Sequence, residues 1–174
     1  MLADGWEMTM CESMPVFIAA VAAILAAWAA FESRRSANAT LTATKAELVR
    51  ALMEEYGKPE MSEHLRCLVR WKQDNPNDFS GKWLQDFKRN AEAANVVDTA
   101  RRHIKGYFEK AARLHEGRFL DDSTLRLVAR RYGIDVYFDI VCPIENAFNP
   151  ERDKSAEMSL KRLVGYYDKG KPKA

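Results

Sequence analysis

Residues 134–148, IDVYFDIVCPIENAF, decide the fold class. Val136, Tyr137, Phe138, Ile140 and Val141 are residue types that favour strands. Yet Val136, Ile140, Ile144 and Phe148 recur every four positions, which is the repeat of one helical face. We read this stretch as a buried helix bent at Pro143, whose ring removes one backbone hydrogen bond. With it assigned to helix, no strand-like alternation remains, and the expected fold is all-α.

Helical signals continue on both sides. Toward the N-terminus, Asp121-Asp122-Ser123 reads as the cap of a helix through Arg131, with Gly133 as its stop. The longest helix is expected at about 95–116, where Val97, Ala100, Ile104, Tyr107, Phe108, Ala111 and Leu114 form one apolar stripe, closed by Gly117. Before it, Asp78 or Ser80 can cap a helix holding Trp83, Leu84 and Phe87. The turn cluster at 74–77 ends a helix that starts near Glu60. Leu41, Leu48, Leu52 and Tyr56 mark a further helix stopped by Gly57 and Pro59. Toward the C-terminus, Asn149-Pro150 separates a last helix at 155–167, with Met158, Leu160, Leu163 and Val164 on its apolar side. Residues 169–174 form a basic tail.

Ahead of these helices lies SMPVFIAAVAAILAAWAAF, the nineteen uncharged residues 13–31. As a helix they would extend roughly 28 Å, close to the ~30 Å of hydrocarbon in a bilayer. Pro15 falls in the first turn, where its missing N–H costs nothing. A cleaved signal peptide would begin with basic residues, and this segment begins acidic. A buried core helix is the other competitor, because alanine is only weakly lipophilic; a helix lying flat on the surface would need a polar face, which is missing. We read the run as a transmembrane helix. The expected organisation is an extracytoplasmic N-terminus at 1–12, a span at 13–31, a helical cytoplasmic domain at 32–168 and the tail.

Charge sets the orientation. The net charge of +2 divides unevenly: residues 1–31 carry Asp4, Glu7 and Glu12 and no Lys or Arg, while the remainder carries all 27 basic against 22 acidic side chains. Arg34 and Arg35 follow the run directly, so the positive-inside rule puts the C-terminal part in the cytoplasm. Cys67 and Cys142 suit a reducing compartment, and an odd total of three cysteines suits no closed disulfide framework. Ala19, Ala23 and Ala27, and likewise Ala22, Ala26 and Ala30, repeat every four residues, a spacing that lets membrane helices approach and makes a homo-oligomer a candidate state.

Catalytic signatures are missing. The sequence has no glycine-rich phosphate loop, nucleophile elbow, Cys-x-x-Cys or His-Glu-x-x-His. His64 and Cys67 share a helical face, but a zinc site needs further ligands from His103, His115 or a carboxylate. His103 and His115 lie about 18 Å apart along one helix and cannot share an ion. Glu54-Glu55 and Asp121-Asp122 are adjacent pairs whose side chains diverge, and the second is a capping signal. Asp135 and Asp139 sit within the apolar stretch, with Arg130 and Arg131 as the expected partners of an ion pair. No catalytic residue, metal ligand or cofactor is assigned, and no enzyme activity is expected.

The basic residues carry more information. Residues 101–131 hold nine Arg and Lys against four acids, a net of +5. Arg101, Arg102, Lys105, Arg126, Arg130 and Arg131 are therefore the candidate contact for an anionic partner, either lipid or protein. Nucleic acid is disfavoured, because Tyr107 and Phe108 fall on the apolar stripe rather than among the charges.

One span, a helix running on from it, FLDDSTL leading into RRYGI, and the VCPI kink together resemble small bacterial single-pass membrane proteins with a helical cytoplasmic domain of unknown function. The likeness covers most of residues 14–148. It implies a bacterial inner-membrane location and a scaffold or accessory role, and it supplies no catalytic residue. The expected function is that of an assembly or protein-interaction factor. The alternatives are a metal-binding or enzymatic subunit using His64 and Cys67 with nearby carboxylates, and a membrane-tethered nucleic-acid binder using residues 101–131.

Overall fold

In the computed structural model the backbone is described for residues 7–169 and the side chains for residues 18–165. The acidic tip, Cys11, Pro15 and the basic tail beyond Lys169 were all singled out in the sequence; their side chains lie outside the described residues. The described chain is helical throughout, with no strand: α1 (Glu7–Gly57), α2 (Pro59–Asp74), α3 (Phe79–Lys88), α4 (Glu92–Glu116), α5 (Asp122–Val128), α6 (Arg131–Val136), a π-helical turn (Tyr137–Val141), α7 (Cys142–Phe148) and α8 (Ser155–Lys169). The all-α expectation holds. The chain divides into two compact units at Thr44 and Lys45.

Within the first unit every side chain from Ile18 to Phe31 is exposed, including Ile24 at 68% and Trp28 at 64%. Among the described residues no helix is long and apolar enough to cross a membrane. The nineteen-residue run expected to do so starts at Ser13, and its first five side chains lie outside the described residues. What remains reaches Phe31 and then meets Glu32, Arg34 and Arg35. Beyond these charges, Thr40, Thr42 and Thr44 each donate a hydroxyl to the carbonyl four residues back, which satisfies hydroxyls on an otherwise solvated helix.

The second unit is built around α4, whose stripe is buried as its spacing predicts: Val97, Ala100, Ile104, Tyr107, Phe108 and Ala111 all lie in the core. A fully buried side chain the size of Phe108 contributes about 1.5–3 kcal/mol by leaving water. Against this stripe pack Leu52 and Tyr56 from the end of α1, Met61, Leu65 and Leu68 from α2, Trp83 from α3, Leu125 and Val128 from α5, and Leu160 and Leu163 from α8. Local chemistry fixes the helix ends. The Asp78 carboxylate accepts from the Gly81 N–H at 2.9 Å, and that of Asp121 accepts from the Thr124 N–H at 2.8 Å. Gly57 ends α1 and Pro59 opens α2, as the sequence indicates.

Four details differ from the sequence reading. The long helix begins at Glu92, after a turn in which Asn90 adopts a φ of 56°. The helix expected through Arg131 stops at Val128; Arg130 is extended, and α6 restarts at Arg131. Gly133 is therefore no stop signal. It is buried inside α6, where an added Cβ would come within 2.7 Å of the Tyr56 hydroxyl and 2.8 Å of Phe108. Lastly, Phe148 and Met158, both placed on apolar faces, are 52% and 65% exposed.

Residues 134–148 are helical, with Val136, Ile140 and Ile144 buried. The irregularity lies before the proline, as a π turn closed by the bond from the Cys142 N–H to the Tyr137 carbonyl. Pro143 cannot donate to the Asp139 carbonyl in the helical ladder. That oxygen accepts instead from Lys72 Nζ at 3.4 Å.

Candidate functional site

Arg101, Arg102 and Lys105 of α4 enter an ionic network in place of a free cationic surface. Arg101 is only 5% exposed. Its guanidinium donates to Asp98 Oδ1 from two nitrogens, at 2.6 and 3.0 Å, and pairs with Glu145 of α7. It also lies over the rings of Trp83 and Phe148, at 5.2 and 5.8 Å from their centroids. Arg102 meets Asp98 at 2.7 Å. One turn further on, Lys105 Nζ lies 2.7 Å from Glu145 Oε2 and 3.9 Å from Glu109. Burial, opposed by Glu109 and helped by Arg101 and Arg152, moves the Lys105 ammonium below its ordinary pKa. Beside it, Arg152 pairs with Glu157, and both side chains are almost wholly buried. A cavity of about 380 Å³ opens along this row, lined also by Phe148 and Asn149. Its cations are matched by Asp98, Glu109, Glu145 and Glu157, so the row is close to neutral.

The remaining candidates are dispersed. Arg131 donates its Nε–H to both carboxylate oxygens of Asp135, each at 3.0 Å, which is the ion pair expected for that carboxylate. Arg130 is exposed and lies 5.3 Å from the Tyr56 ring centroid. Arg126 is exposed, and its Nε donates to the Asp122 carbonyl. Asp139 is mostly exposed, 3.9 Å from Lys72. The six residues proposed for one anionic contact thus fall into two groups: Arg101, Arg102 and Lys105 in the ionic row, and Arg126, Arg130 and Arg131 around α5 and α6. Arg118, just ahead of α5 in the chain, is exposed with a φ of 61°. Such a value costs a side-chain-bearing residue about 1–2 kcal/mol. Tyr107 and Phe108 are buried, as their place on the stripe requires, and offer no stacking surface.

Sequence spacing paired His64 with Cys67, and the structure pairs it with another residue. The rings of His64 on α2 and His103 on α4 have centroids 4.6 Å apart. Burial, followed by the nearby His103, lowers the His64 pKa, while Glu63 and Glu60 oppose the shift. Cys67 lines a separate groove with Ala93, Val96 and Val97, and burial raises its pKa. Cys67 and Cys142 are free thiols. His115 stands apart, 2.7 Å from Asp122. Among the described residues no group of three or more His, Cys, Asp or Glu side chains is placed to hold a metal ion.

Glu145, Asp98, Arg152 and Glu157 were not singled out by sequence. Asp98 was legible in principle, being three and four residues before Arg101 and Arg102. Glu145 was not, because its partners Arg101 and Lys105 come from a different helix; Arg152 lies in the turn before α8 and meets Glu157 five residues on, at no regular helical spacing. No protein-family model, curated protein or solved structure matches this chain.

Proposed function

We propose that this protein is a single-pass, membrane-anchored helical protein whose C-terminal helical unit binds another protein or organises an assembly at a bacterial inner membrane, without catalysis of its own. The observation that carries the reading is the exposure of every side chain from Ile18 to Phe31 on a helix with no polar face. Exposure of Ile18, Ile24, Leu25, Trp28 and Phe31 to water costs free energy, and contiguous exposed apolar surface marks a membrane or protein contact. Together with Ser13–Phe17, the uncharged run has the length of a span. Arg34 and Arg35 at its end orient the N-terminus outward and the helical unit toward the cytoplasm. The inner-membrane assignment rests on the resemblance in order of features to small bacterial membrane proteins.

The partner contact in this reading centres on the exposed Arg118 and Arg130, because the cations of the ionic row are matched by carboxylates. An acidic protein surface is the complementary chemistry.

Membranes from cells expressing the chain with a C-terminal tag test the anchor. The chain should stay in the pellet through alkaline carbonate, and the tag should be protected from protease in intact spheroplasts. Leu25→Arg should release it. Release of the unaltered chain by carbonate would overturn the anchor. A photo-crosslinker at position 118 or 130 should give a discrete adduct that one at position 88 does not. A chain that is monomeric and uncrosslinked in mild detergent and in membranes would overturn the interaction role.

A further inference from the structure

The His64–His103 pair is a chemical feature that the proposed role leaves unused. The two imidazoles belong to different helices, α2 and α4, which pack on each other. Their planes are tilted by 44° at a centroid separation of 4.6 Å. His64 is half-buried and His103 exposed, so both can be reached from solvent. Neither ring makes a hydrogen bond to another described residue. Among the described residues, the ring nitrogens therefore have no hydrogen-bond partner that a ligand would have to displace.

The surroundings favour a cation. Glu60 lies one turn before His64 on the same helix and Glu63 lies beside it; both are exposed, and both act on the His64 ring by their charge. Two protonated imidazoles at this separation would repel each other, whereas two neutral ones present lone pairs to a shared ion. Metal–imidazole bonds of about 2.0–2.1 Å place two ligating nitrogens on one ion roughly 3 Å apart. A centroid separation of 4.6 Å is compatible with two imidazoles on adjacent corners of one ion's shell. Imidazole selects nickel, copper and zinc over magnesium and calcium, which take oxygen ligands.

We propose that His64 and His103 form an inter-helix coordination site for a divalent transition-metal ion of the nickel, copper and zinc group, with water completing its shell. The bound ion ties α2 to α4 at the surface above the core. Cys67 takes no part, because it opens on the groove beside Val96. The site does not depend on the membrane reading, since both ligands lie in the second unit.

The full chain in mild detergent, titrated with nickel chloride, tests this. Paramagnetic Ni²⁺ should broaden the ring-proton resonances of His64 and His103 in a saturable way and leave His115 sharp. Calorimetry should show one site per chain, weakened roughly tenfold or more by either His64→Gln or His103→Gln and unchanged by Cys67→Ser or His115→Gln. Magnesium chloride should give no heat. Uniform broadening of all three histidines, no saturation at millimolar nickel, or binding retained in both glutamine variants would each overturn the site. If a glutamine variant fails to fold, the selective broadening in the unaltered chain still decides the question.

Discussion

Lys105 on α4 and Glu145 on α7 meet at 2.7 Å, although forty residues separate them in sequence. Arg101, one turn earlier on α4, pairs with the other oxygen of the same carboxylate. A single acid thus neutralises two successive cations and closes α7 onto α4. Glu145→Ala leaves the Arg101 guanidinium buried with only Asp98 opposite. Breaking a buried pair from one side costs about 3–5 kcal/mol, and urea unfolding of the variant should show a loss of that order. Asp139→Ala, which removes a mostly exposed carboxylate, should cost less than about 1 kcal/mol.

Tyr107 donates its hydroxyl to the Val128 carbonyl at 2.7 Å, with the Leu52 carbonyl at 3.3 Å. One phenol thereby joins α4 to the ends of α1 and α5. Tyr107→Phe keeps the ring and removes the donor, so a buried carbonyl is left unsatisfied at a cost of about 1–3 kcal/mol. Amide exchange in α5 should accelerate more than exchange in α2.

Gly133 sits where Tyr56 and Phe108 leave no room for a Cβ. Gly133→Ala should destabilise by about 1–3 kcal/mol through overpacking, despite alanine's better helix propensity. A higher thermal midpoint for this variant would contradict the packing shown here. Gly106, on the same kind of helix, has open space around its Cα, and Gly106→Ala should stabilise by up to about 1 kcal/mol.

Burial pushes the Cys142 thiol up to about 11, and burial likewise raises Tyr107 and Tyr137. For groups whose pKa is raised by folding, the folded state holds its protons more tightly than the unfolded chain. The associated stability is fully present below the unfolded thiol pKa near 9 and is lost as pH rises through about 11. The thermal midpoint should therefore fall between those values, less steeply in Cys142→Ala. Ellman's reagent should modify Cys67 before Cys142, because Cys67 is only half-buried. Equal rates in the folded chain would contradict this.

Sequence alone determined the features that depend on neighbours along the chain. Asp78 and Asp121 cap helices because their carboxylates reach N–H groups three residues ahead. Gly57 and Pro59 separate α1 from α2, and the stripe from Val97 to Ala111 is buried because its spacing repeats the helical turn. The uncharged run before Glu32 belongs to the same class, since length and hydropathy are sums over adjacent residues.

Tertiary structure decided everything that depends on a partner from elsewhere. The basic excess of residues 101–131 read as one contact surface, but Glu145 reaches Arg101 and Lys105, and Glu55 reaches Lys110 at 2.6 Å. Gly133 read as a stop and is a packing glycine, because the rings that exclude a Cβ come from α1 and α4. His64 read as the neighbour of Cys67 on one helical face and instead faces His103 across two helices. Helical periodicity records which side of a helix a residue occupies. It does not record which other helix will lie against that side, and charge neutralisation and close packing are set by that second surface.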